Sequence, residues 1–117
     1  MTYWKQHERD IAKWWLQRGF KSKRVLFHTG LREGKHADVI VQITPELQLH
    51  IDSKSTKSNR GKHSISIKKE DCLKLQGPEQ IIQFSYYQSK DYFIILRAED
   101  YLELIKCYLR RGIDGQD

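Results

Sequence analysis

From Leu47 to Lys54 apolar and polar positions alternate. Side chains two apart on a strand share a face, so Leu47, Leu49 and Ile51 look one way and Gln48, His50, Asp52 and Lys54 the other. Residues 3 to 18 follow a different period. Trp4, Ile11, Ala12 and Trp15 form one helical stripe, with Lys5, Arg9, Lys13 and Gln17 opposite. Thr2 suits the N-cap of this helix, and Gly19 suits the position just past its C-terminus. Lys23 to Phe27 reads as a first strand and residues 28 to 37, with two glycines, as a mobile loop. Asp38 to Ile43 is apolar on both faces in its middle, which predicts a central strand. The turn Thr44-Pro45-Glu46 is short enough to make this strand and the next antiparallel neighbours.

Further on, residues 65 to 67 read as briefly extended, and a helix runs from Lys69 to Gln76, where Gly77-Pro78 ends it. Gln80 to Tyr87 and Tyr92 to Leu96 read as strands joined by a turn at Ser89-Lys90-Asp91. A last helix spans Glu99 to Arg110, with Leu102, Ile105 and Leu109 on one stripe and a frayed tail from Gly112. The pattern predicts a single α/β domain over residues 1–117 in the order α-βββ-α-ββ-α. Its five strands form one mixed sheet flanked by helices.

Composition narrows the function classes. The chain has 117 residues, 31% charged, with a formal net charge of +6. A basic surface favours polyanionic partners. No apolar run approaches the ~20 residues that a membrane span needs, and the N-terminus lacks a signal-like apolar stretch. The two cysteines, Cys72 and Cys107, form no metal-binding spacing with each other or with the five histidines. They read as reduced, partly buried residues of a cytoplasmic protein.

Glu8 breaks the stripe of the first helix, four residues from both Trp4 and Ala12. A carboxylate facing a core is costly unless it is paired or binds a cation. It therefore pairs with an arginine at the core's edge or serves a metal. Asp38 opens the second strand, and Asp52 and Lys54 close its antiparallel neighbour. These groups converge at one edge of the sheet, where a divalent cation would relieve the repulsion between carboxylates. Hard oxygen ligands suit Mg2+ or Mn2+. Asp38 and Asp52 would hold the metal, with the carbonyl of Ser53 as a further ligand and Glu8 completing the shell directly or through water. Lys54 would orient a water or stabilise charge on a phosphate.

At these residues the chain resembles the PD-(D/E)XK nuclease superfamily, and within it the small archaeal and phage-type Holliday-junction resolvases. The pattern is Glu8 on an early helix, Gly19-Phe20, the loop at 28 to 37, Asp38, Asp52-Ser53-Lys54, Ser55-Thr56-Lys57, and Ile67-Lys68-Lys69-Glu70-Asp71. It covers about residues 5 to 76. His36-Ala37-Asp38 lacks the proline of the family name, and Asp52 stands where many members carry glutamate. The resemblance implies a restriction-endonuclease-like fold and Mg-dependent cleavage of branched DNA. It also implies a role in DNA recombination or repair, action as a homodimer, and a cellular or phage origin.

Lys21, Lys23, Arg24, Thr29, Arg32 and Lys35 lie on one side of the proposed site in sequence. Ser55, Thr56, Lys57, Arg60, Lys62, Lys68 and Lys69 follow it. All are candidates for phosphate contact, which gives affinity and orientation but reads no base sequence. No helix rich in Asn, Gln and Arg offers sequence readout. Three other readings stay open: a flap, end-processing or restriction-like nuclease of the same superfamily; a catalytically inert DNA-binding module; and an RNA binder that stacks bases on its aromatic residues.

Overall fold

The computed structural model describes residues 3–25, 37–55, 64–86 and 88–114. Helix α1 (Tyr3–Leu16) leads into strands β1 (Lys21–Arg24), β2 (Val39–Gln42) and β3 (Gln48–Ser55). Helix α2 (Lys69–Leu73), strands β4 (Gln80–Ser85) and β5 (Phe93–Ile95), and helix α3 (Ala98–Asp114) follow. The strands form one mixed sheet in sequence order. Only β3 and β4 are parallel; the other neighbours are antiparallel. A parallel pair cannot be joined by a tight turn, and the connection here carries α2.

The elements appear in the order that the residue pattern predicts, with other bounds: β1 begins earlier, at Lys21, β3 runs further, to Ser55, and α2 ends at Leu73 instead of Gln76. Residues 65 to 67 form no strand. The last helix runs on to Asp114 instead of ending at Arg110. Cys72 and Cys107 are both free but exposed, not partly buried. They sit on α2 and α3, short of any covering element.

Helix α1 lies across β1, β2 and β3. Its Ile11 and Ala12 join Val39, Val41, Ile51 and Ile81 in the core, with Trp15 and Phe20 packed against them. Gly19, at φ 95°, reverses the chain after α1. The Phe20 amide then bonds the Trp15 carbonyl at 3.1 Å, which closes the helix end. Trp15 reaches across the sheet, its Nε1 donating to Oε1 of the fully buried Gln83 on β4 at 2.8 Å. Since Val39, Val41, Ile51 and Ile81 face α1, the alternating positions Ile40, Gln42, His50 and Asp52 face the other side. The described part of α3 has no strand or helix lying closely along it.

Candidate active site

The β2–β3 hairpin brings the first two acids together. Val39 is opposite Ile51, so one step outward Asp38 meets Asp52. The two carboxyl groups are close enough for Asp38 to raise the pKa of Asp52. Asp38 is held from below: its Oδ2 accepts the Ser53 amide at 2.9 Å and the Ser53 hydroxyl at 3.2 Å. Ser53 thus orients Asp38 through its amide and side chain.

Lys54 stands two residues beyond Asp52 on the same strand face. Its Nζ lies 3.6 Å from Asp52 Oδ2 and 3.1 Å from Asp71 Oδ1. Asp71 comes from α2, where its Oδ2 accepts the Lys68 amide at 2.9 Å. That bond satisfies an otherwise orphan amide at the start of the helix. One carboxylate therefore fixes the α2 terminus and the lysine ammonium together.

The charges show how the cluster is tuned. Burial pushes the Asp52 carboxyl up to about 6, helped by the neighbouring Asp38 and opposed by Lys54. Burial alone would lower Lys54, but Asp52 and Asp71 more than offset it, and its pKa is raised. Burial also works to raise Asp71, yet the Lys68 amide and the Lys54 ammonium hold it below its ordinary value. The result is a lysine that stays charged beside one firm carboxylate and one that readily takes up a proton.

His7 is buried under this cluster and hydrogen-bonds the Lys54 backbone. Burial lowers its pKa despite that bond and the nearby Asp10 and Asp38. Its Nε2 is buried without a hydrogen-bond partner. Residue pattern singled out neither His7 nor Asp71. His7 is four residues from Ile11, at the edge of the α1 stripe, so it carried a weaker signal than Glu8, which falls in the middle. Asp71 carried a signal too: an acid three residues after the residue that starts a helix.

Glu8 is buried, and its Oε2 lies 3.6 Å from Arg24 Nε on β1. Of its two expected partners, the arginine at the edge of the core is the one seen. Arg24, expected on nucleic acid, is itself mostly buried against this glutamate. Lys21 and Lys23 are exposed on β1 and line a depression of about 390 Å³ with Ile40, Gln42 and Gln48. A larger depression, about 650 Å³, lies at the β2–β3 turn beside Pro45 and Glu79, and none of the Asp38, Asp52 and Lys54 cluster lines it. Lys68 and Lys69 are exposed at the start of α2, and Ser55 is half-buried at the end of β3. Thr29, Arg32, Lys35, Thr56, Lys57, Arg60, Lys62 and the loop at 28–36 lie outside the described residues.

Among the described residues, no group of three or more His, Cys, Asp or Glu side chains is arranged to hold a metal ion. The Asp38–Asp52 pair still fits a magnesium-type ion. Such an ion is commonly bound by one or two carboxylates and keeps much of its water, and a cation would relieve the repulsion between these two neighbouring acids. No family model matches the sequence, and no curated protein matches it. No described helix is long and apolar enough to cross a membrane.

Proposed function

We propose that this protein is a metal-dependent endonuclease of the PD-(D/E)XK kind, with a restriction-endonuclease-like fold, that hydrolyses phosphodiester bonds in branched DNA as a Holliday-junction resolvase. One observation carries the reading: two carboxyl groups, Asp38 and Asp52, lie side by side at the end of a hairpin, with a lysine ammonium 3.6 Å from one of them. Two such acids side by side are costly to a fold. A site for Mg2+ or Mn2+ gives that cost a purpose.

Asp38 and Asp52 would hold the ion, which supplies Lewis acidity toward phosphate and a more acidic bound water. The chain's own residues do the rest. Ser53 fixes Asp38. Asp71 fixes Lys54 from one side, and His7 holds the backbone of the same residue. Lys54 then presents a positioned positive charge to a phosphate oxygen or an attacking water. Glu8 supports the site from α1 through its pair with Arg24, which anchors β1. Lys21, Lys23, Lys68 and Lys69 offer exposed charge to the phosphates on either side.

One observation supports a second reading, an inert DNA-binding module: Lys21, Lys23, Lys68 and Lys69 offer exposed charge to phosphates whether or not a metal binds. A single experiment separates the two. The purified protein is incubated with a labelled immobile four-way junction, a flap and plain duplex, with Mg2+, Mn2+ or chelator, beside Asp52→Asn. Paired symmetric nicks in the junction alone, lost with chelator and in the variant, are the expected result. Cleavage of all three substrates keeps the nuclease and discards junction specificity. Tight binding with either metal and no cutting puts the binding module first.

A further inference from the structure

Helix α3 has the pattern of a helix that packs, and no described strand or helix lies closely along it, though Asp100 and Ile105 are half-buried. Tyr101, Leu102, Leu104, Tyr108 and Leu109 are each more than half exposed. At 3.6 residues per turn they fall, with Ile105, on one broad face. Side chains of this size at such exposure present roughly 600 Å² of mostly apolar surface, and a pair of such faces clears the ~1,000 Å² expected of a specific interface. Solvent does not leave a patch of that extent bare without cost.

The charges along its flanks say what covers it. Glu99 and Lys106 are seven residues apart on one flank of the apolar face. Asp100 and Arg111 are eleven apart, three turns, on the other. On both flanks the acid is N-terminal and the base C-terminal. This order complements the helix dipole, so it also favours the isolated helix. In an antiparallel pair of identical helices each flank meets its own copy reversed, and acid faces base at both ends. A parallel pair would set acid on acid and base on base.

We infer that α3 is the docking surface for a second copy of this chain, laid antiparallel across a two-fold axis with Leu102, Ile105 and Leu109 at its centre. Such an interface is self-complementary and closes after two copies. It does not depend on the nuclease reading.

Sedimentation velocity of the full chain, from micromolar to submillimolar concentration, tests this. Wild type is expected to run as a dimer. Leu109→Glu is expected to run as a monomer with unchanged far-UV circular dichroism, since its side chain supports nothing in the described fold. Glu99→Lys alone and Lys106→Glu alone should each weaken the dimer by about tenfold, because each sets like charges opposed on both symmetry-related flanks. Mixing these two variants should restore pairing, because the mixed dimer again sets acid against base. A wild-type monomer throughout the range, or a dimer indifferent to Leu109→Glu, overturns the docking surface. A mixture no tighter than its components overturns the antiparallel arrangement.

Discussion

Helices α1 and α3 carry similar apolar stripes and meet opposite fates. The stripe of α1 is interrupted by His7 and Glu8, yet it is closed over three strands and both polar residues are buried. The stripe of α3 is unbroken, yet it faces solvent. Each helix also has an Arg–Glu pair. Arg24 and Glu8 stand 3.6 Å apart and are largely buried; Arg97 and Glu99 stand 3.3 Å apart, with Glu99 exposed and Arg97 half-buried. The longer contact matters more, because removing one partner of a buried pair strands a charge out of water, whereas an exposed charge is rehydrated. An amphipathic pattern says that a helix has an inner face, not what lies against it. Polar residues within a closed stripe report on function, and an unbroken bare stripe reports on association.

The sharpest way to break the comparison is to cut side chains from both stripes. Ile11→Ala removes a fully buried side chain and should cost about 2–5 kcal/mol in urea unfolding. Leu104→Ala on α3 should stay within about 0.5 kcal/mol when measured at concentrations where the chain is monomeric. Equal losses would mean that α3 packs on its own domain. Next comes the ion pair. Arg24→Ala should cost about 3 kcal/mol by leaving the buried Glu8 short of its countercharge. Glu99→Ala should cost no more than about 0.5 kcal/mol.

A smaller effect sharpens the account of the cluster at the end of β3. The folded state raises Asp52 from 3.8 to about 6. Below pH ~4 both states hold the proton and the residue is neutral in stability. Between these values the folded state keeps a proton that the unfolded state has lost, so stability falls as pH rises. Above pH ~6 the cost is complete. Allowing for partial exposure, Asp52→Asn should stabilise the metal-free protein by about 1 kcal/mol at pH 8. That gain should vanish at pH ~3.5. Urea midpoints in chelator at the two pH values check it. An Asn variant that is less stable at pH 8 would make Asp52 a structural residue.

Much of this arrangement can be read from residues alone. The alternation from Leu47 and the short turn at Thr44-Pro45-Glu46 fix the hairpin register, and with it the meeting of Asp38 and Asp52. Lys54 follows from the period of two. What escapes is the choice among partners. Glu8 is legible as a buried carboxylate with two destinations, but nothing along the chain says that Arg24 is the arginine beside it. Asp71 reads as one more charge on a short helix until the β3–β4 crossover sets the start of α2 over the end of β3. His7 passes as a polar boundary residue, because the edge of a stripe is defined only by what it packs against. The stripe of α3 is plain in the sequence, and its lack of a cover is not.

The two margins of the sheet differ in a way that bears on solubility. At one margin β1 carries exposed Lys21 and Lys23. Lysines on an open strand repel another copy's backbone before it can pair, a common guard against runaway sheet growth. At the other margin β5 is only three residues, Phe93, Ile94 and Ile95, with no charge among them. Recruitment of further strands is therefore discouraged at one end and merely shortened at the other. Head-to-tail growth through the sheet would have to set β5 of one copy against the lysine-bearing β1 of the next, which disfavours it.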